Sequence, residues 1–153
     1  MPENFDDYDR RLLTELQRDA GRPVEALADV IGLSRNATWR RIRRLEEQGV
    51  VTGRVALVDP EKLGLGLTVF ISVRTDRHDA AWAEDLTKAL KAFPQIIGAY
   101  RTSGDLDYLI HARVPDVRGY DDLYRALIKR IPLKDVSASF VMEEMIETTA
   151  LPV

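Results

Sequence analysis

Between Leu67 and Met142 the apolar residues change period, from two to about 3.6 and back, and few folds satisfy that alternation. Leu67 to Arg74 alternates as a strand. From Asp79, the residues Trp82, Leu86, Ala89 and Phe93 recur at helical spacing, and Pro94 ends the run. Ile96 to Thr102 is strand-like, Ser103-Gly104-Asp105 is a turn signal, and Asp107 to Val114 is the returning strand. Tyr120, Leu123, Leu127 and Ile131 mark a second helix, ended by Pro132, and Val136, Ala138, Phe140 and Met142 alternate as a last strand. The order β-α-β-β-α-β is the ferredoxin-like arrangement, with both helices on one face of the sheet. The strands are apolar enough that the other face needs a cover, for which a second copy of the chain is the simplest candidate.

The segment before this domain is helical. Asp6 or Asp7 caps a first helix with a Leu12, Leu13, Leu16 stripe that Gly21 ends; Pro23 starts a second, with Leu27, Ala28 and Ile31 apolar. Gly32 supplies a turn, Leu33 plugs the core and Ser34 caps a third helix that stops at Gly49. That third helix concentrates the arginines of the chain. At 100° per residue, Thr38, Ile42 and Leu45 share one face and Asn36, Arg40 and Arg43 the opposite one, with Trp39 and Arg44 on the flanks. One side anchors the helix while the other presents guanidiniums, which suit phosphates and the acceptor edge of guanine. Two helices joined by a glycine turn in this way make a helix-turn-helix. Val50 to Val58 is rich in β-branched residues and reads as a strand, until Asp59-Pro60 breaks it. The expected class is therefore α+β: an N-terminal winged helix-turn-helix domain over residues 1–52, a strand and linker over 53–65, and a C-terminal ferredoxin-like βαββαβ domain over 66–153.

Charge supports that division. The net charge of −3 argues mildly against nucleic acid, but residues 34–54 carry six arginines against only Glu46 and Glu47. Absence of cysteine excludes disulfides, thiolate catalysis and sulfur-ligated zinc, and two distant histidines make no metal centre. No cofactor and no metal site are expected. No basic start followed by an apolar run reads as a signal peptide, and Leu63 to Val73 is too short and glycine-rich to span a bilayer. The expectation is a soluble, cytoplasmic protein without a membrane partner.

The motifs resemble those of the Lrp/AsnC, or feast/famine, family of transcription regulators. The resemblance rests on Asp9-Arg10-Arg11-Leu12-Leu13, Ile31-Gly32-Leu33-Ser34, Trp39 to Glu46 and Gly49-Val50-Val51. It continues with Ser103-Gly104-Asp105-Leu106-Asp107-Tyr108, Val114-Pro115-Asp116 and Val141-Met142-Glu143-Glu144, in collinear order over nearly the whole chain. It implies an N-terminal domain for double-stranded DNA and a C-terminal domain for an amino acid or related metabolite. It also implies a homodimer assembling to an octamer, with the effector in a cleft where dimers meet, lined by the Gly-Asp-x-Asp-Tyr hairpin. Two departures stand out: Pro23 where the family often has Ser or Thr, and Arg35-Asn36-Ala37 where it often has proline.

The expected DNA-binding residues are Ser34, Arg35, Asn36, Trp39, Arg40, Arg43 and Arg44, with Arg41 nearer the core; a solvated helix face is the alternative reading. The expected effector-binding residues are Tyr100, Thr102, Gly104, Asp105, Asp107 and Tyr108. Backbone N–H groups near Gly104 suit a carboxylate and the two aspartates an ammonium, although Gly104-Asp105 is first of all a turn. No catalytic residue is assigned. His111 is read as a surface or interface histidine, and it alone speaks for the enzyme alternative, a siroheme decarboxylase-like protein of the same architecture. Glu143, Glu144 and Glu147, taken as strand positions, do not converge and read as a solvated or interface edge. An assembly protein that binds amino acids without DNA is disfavoured by the arginines.

Overall fold

The computed structural model describes residues 5–153 and divides the chain into two compact units. One runs to Leu57 and takes in Ile146–Val153; the other is Val58–Met145.

The first unit packs three helices, α1 (Asp7–Arg18), α2 (Val24–Ile31) and α3 (Arg35–Glu47). Leu12, Leu13 and Leu16 of α1, Leu27 and Ile31 of α2, and Ile42 and Leu45 of α3 form its core. Each such side chain contributes roughly 1.5–3 kcal/mol by leaving water. Asp6 caps α1 through a reciprocal box, accepting from the Asp9 N–H at 2.9 Å while its own N–H donates to the Asp9 carboxylate at 3.3 Å. Gly32 closes α2 at φ 78°, a left-handed conformation that a side chain resists. α1 ends at Arg18, before the expected Gly21.

Val50 to Val58 departs from expectation. It forms no strand, and among the described residues this unit has no sheet, so the segment makes no wing ladder. β-branched residues favour extended backbone, but a strand needs a second strand to take its N–H and C=O groups, and the helices supply none.

The second unit is a four-stranded antiparallel sheet of order β2-β3-β1-β4, from β1 (Leu67–Arg74), β2 (Ile96–Arg101), β3 (Tyr108–Val114) and β4 (Asp135–Phe140). Helices α4 (Ala80–Lys91) and α5 (Val117–Arg130) cover one face, giving the expected ferredoxin-like fold. Asp79 caps α4 by accepting from the Trp82 N–H at 2.8 Å, and Asp116 caps α5 by accepting from the Gly119 N–H at 2.8 Å. Val69, Ile71, Val73, Ile110, Ala112 and Val114 meet Trp82, Leu86 and Leu127 on the covered face.

The opposite face is less apolar than its strands suggested. It carries Phe70 stacked on His111 at 4.7 Å, together with Ser72, Leu109, Arg113, Ser137 and Ser139. β4 stops at Phe140, so Met142 is not a strand residue and is 95% exposed. Glu144 therefore lies beyond the strand too. Its carboxylate turns back onto the sheet, accepting from Arg113 at 2.7 Å and from the Thr68 hydroxyl at 2.9 Å, which corrects its placement on the last strand.

Candidate functional site

The N-terminal candidate surface is built on α3. Its buried face is Thr38, Ile42 and Leu45, as the helical wheel requires. The Ser34 hydroxyl accepts from the Ala37 N–H at 3.3 Å, and the Thr38 hydroxyl bonds the Ser34 carbonyl at 3.1 Å, fixing the first turn. Ser34 thus acts on the helix start itself.

The arginines divide into two sets. Arg41 and Arg44 turn inward to Asp9, whose side chain is only 2% exposed: Arg41 donates to one oxygen at 2.8 Å and Arg44 to the other at 2.5 Å. Arg41 also bonds Asp6 at 2.9 Å and lies over the Tyr8 ring, 5.4 Å from its centroid. Donation to the buried Asp9 carboxylate leads the interactions that hold the Arg41 proton more firmly than usual. Arg44, expected on the DNA surface, keeps about half its side chain in solvent while it bonds Asp9, so it carries a structural duty.

Arg40 and Arg43 form the outward set. Arg43 lies 3.4 Å from Glu47 and 3.7 Å from Glu46, an exposed helical pairing of about 0.3–0.5 kcal/mol. Among the described residues, no carboxylate lies within ion-pair distance of Arg40. Trp39 is 52% exposed, which puts its ring on the solvent side rather than in the core. Arg35 is engaged with Glu25 of α2, tying the start of α3 to its neighbour. Asn36 is exposed in the first turn.

The second candidate surface is the β2–β3 hairpin. Gly104 sits at φ 110°, a conformation that side chains rarely adopt. The turn is held by the Thr102 N–H to the Asp107 carbonyl at 2.9 Å and by the Thr102 hydroxyl to the Leu106 carbonyl at 2.5 Å. Arg74 donates to the Asp105 carbonyl at 2.8 Å, leaving the Asp105 side chain exposed. The Asp107 carboxylate is already in use: it accepts from the Thr75 N–H at 2.8 Å and lies 3.8 Å from His78.

The structure does not gather all six expected hairpin residues. Tyr100 and Thr102 are exposed with Gly104 and Asp105, but Tyr108 faces the helix-covered side, its ring 5.3 Å from that of Trp82. Tyr108 shares that face with Ile110 and Ala112, so it packs the core instead of lining a pocket with Tyr100. The sequence named Asp9 only within a family motif, with no structural or binding role assigned to it. Its signal was its place on the buried α1 stripe with Leu12, Leu13 and Leu16, where a carboxylate needs cationic partners.

A capped helix offering outward arginines after a glycine turn, joined to a ferredoxin-like domain, is the architecture of a two-domain DNA-binding regulator. The AsnC-type helix-turn-helix domain matches residues 5–46, and the Lrp/AsnC ligand binding domain matches residues 68–151. The chain belongs to the Lrp/AsnC family of transcription regulators, a non-enzymatic class. It is 44% identical to the glutamate uptake regulatory protein of Zymomonas mobilis over 99% of this chain and 93% of that one. A crystal structure of an AsnC family transcriptional regulator from Agrobacterium tumefaciens matches at TM-score 0.94 and 43% identity over 97% of both chains. A transcriptional regulator from Neisseria meningitidis in complex with L-Met matches at TM-score 0.92 and 29% identity, again over 97% of each. Among the described residues, no helix is long and apolar enough to cross a membrane.

Proposed function

We propose that this regulator reads double-stranded DNA through α3 and changes that binding when an amino acid occupies its C-terminal unit. The observation that carries the reading is the division of the α3 arginines. Arg41 and Arg44 brace the helix on buried Asp9, while Asn36, Arg40 and Arg43 are left on the outer face. Asn36 suits adenine and the arginines suit guanine or phosphate. Ser34 and Arg35 act mainly by setting the helix start, Trp39 by contact with the backbone, and Arg44 as a part-time phosphate partner.

The effector surface is the exposed hairpin of Tyr100, Thr102, Gly104 and Asp105, with Asp107 holding its shape. The amino-acid reading is supported by the L-Met complex of the Neisseria relative. The working unit is a homodimer formed across the open sheet faces, assembling to an octamer, and it acts in the cytoplasm, where such DNA is found. Residues up to 52 serve DNA binding, 53–65 connect, and 66 onward serve effector binding and assembly.

The test compares footprints of the wild type, Arg40→Ala and Gly104→Gln on the DNA upstream of the protein's own gene, with and without each of the common amino acids. Arg40→Ala should lose the footprint at moderate salt. Gly104→Gln should keep it and lose the amino-acid response. A wild type without any footprint, or a response retained in Gly104→Gln, contradicts the respective half of the reading.

A further inference from the structure

The last residues of the chain are packed with the first unit, although they follow directly on the ligand-binding unit in sequence. Their attachment is specific. The Gln17 side chain on α1 pairs with both backbone groups of Leu151: its amide nitrogen donates to the Leu151 carbonyl at 3.1 Å, and its amide oxygen accepts from the Leu151 N–H at 2.6 Å. A side-chain amide used this way imitates one rung of a β-ladder. Thr149, Leu151 and Val153, alternate residues of the last segment, line a groove of about 890 Å³ whose other walls include Leu13, Leu16, Val50, Val51 and Leu57. The same segment is held a few residues earlier, where Glu144 is bound by Arg113 and Thr68 of the sheet.

The seat is shallow. Leu151 remains 72% exposed and Val153 48% exposed, so apolar burial contributes little and the Gln17 pair does most of the holding. Two hydrogen bonds open to water favour the attached state by only about tenfold. Such an attachment is present most of the time and yet open to small influences.

We propose that Thr149–Val153 is a releasable clasp on the helix-turn-helix unit, locked by Gln17, and that its closure keeps the DNA-binding unit in its working arrangement. The groove is walled by α1 and the Val50–Leu57 segment, and none of Asn36, Arg40 and Arg43 lines it, so the clasp occupies none of the proposed DNA contacts. Closed, it braces α1 and the Val50–Leu57 segment within the helix-turn-helix unit. Open, it leaves them without that brace. The role in DNA binding rests on the function proposed above; the existence of the clasp does not.

The test uses the full chain and the Gln17→Leu variant, a change on the outer side of α1 that removes both bonds. Amide hydrogen exchange read residue by residue by NMR should find the Leu151 amide in the wild type exchanging about tenfold more slowly than in the same sequence as a free peptide. Gln17→Leu should bring that exchange to the free-peptide rate while the amides of α1 and α3 stay protected. A wild-type tail that exchanges as fast as the free peptide, or a tail still protected in Gln17→Leu, overturns the clasp. In a fluorescence-anisotropy titration on upstream DNA, Gln17→Leu should bind about three- to tenfold more weakly than the wild type. Equal affinity would overturn the clasp's part in DNA binding. Absence of binding by the wild type itself would instead overturn the DNA-binding reading, with the exchange result standing apart from it.

Discussion

Asp9→Asn tests how the DNA-binding surface is built. Asp9 is 1% exposed and takes one guanidinium on each carboxylate oxygen, Arg41 at 2.8 Å and Arg44 at 2.5 Å. Asparagine keeps the volume but loses the charge and one acceptor. Hydrogen bonds to charged groups contribute about 1.5–3 kcal/mol each. Arg41 and Arg44 keep 24% and 49% of their side chains in solvent, so both recover hydration once released. The amide oxygen also retains one bond. A loss of about 2–3 kcal/mol follows, which lowers the midpoint of a unit this small by roughly 10–20 °C. Thermal unfolding followed by circular dichroism, with amide exchange in α1 and α3 to identify the melting unit, measures it. A change below about 0.5 kcal/mol would mean that the pair behaves as an ordinary surface ion pair and that Asp9 does not brace α3.

Other substitutions separate the arginine sets. Arg40→Ala and Arg43→Ala should leave the melting temperature within a degree or two but weaken DNA binding; if each touches only phosphate, the salt dependence loses about one unit of slope, measurable by titration at several salt concentrations. Arg44→Ala should lower the melting temperature as well, through Asp9. Trp82→Ala empties the centre of the second core, where the ring is 1% exposed, and should cost about 3–5 kcal/mol in a urea titration. Acid should loosen two helix starts. The Asp9 N–H, and then Arg41, hold the Asp6 carboxyl below its ordinary 3.8; the Trp82 N–H, and then Arg77, do the same for Asp79. A lowered folded value means that the caps stabilise above pH 3.8 and that this is lost as pH falls through the lower folded value. Asp6→Asn and Asp79→Asn should flatten the fall of melting temperature below pH 4; an unchanged acid limb contradicts the capping account.

The regular elements were legible because each carries its period over several turns or alternations. Trp82, Leu86 and Ala89 mark α4, and the strand expected over Leu67 to Arg74 matches β1 residue for residue. The split of the arginines was half legible. The wheel put Thr38, Ile42 and Leu45 inward and Arg41 near the core, but whether Arg44 reaches DNA or the interior depends on Asp9, 35 residues away and on another helix. Asp9 itself stood in an apolar stripe, which is a local signal. Val50 to Val58 misled because propensity favours a strand without supplying its partner. Tyr108 misled because motif adjacency ignores alternation: neighbours in a hairpin sequence can point to opposite faces. Contacts from the chain end were illegible, since Glu144 with Arg113 and Leu151 with Gln17 join residues that no periodicity relates.

The most direct test of the central claim is a fluorescence-anisotropy titration of the protein onto the DNA upstream of its own gene and onto a scrambled duplex, from low to physiological salt. Tight binding to the first that persists at physiological salt, weak binding to the second, and a shift of the curve on adding an amino acid are the expected results. Equal, weak binding to both duplexes that vanishes with modest salt would reduce the arginines of α3 to charge attraction and contradict the account.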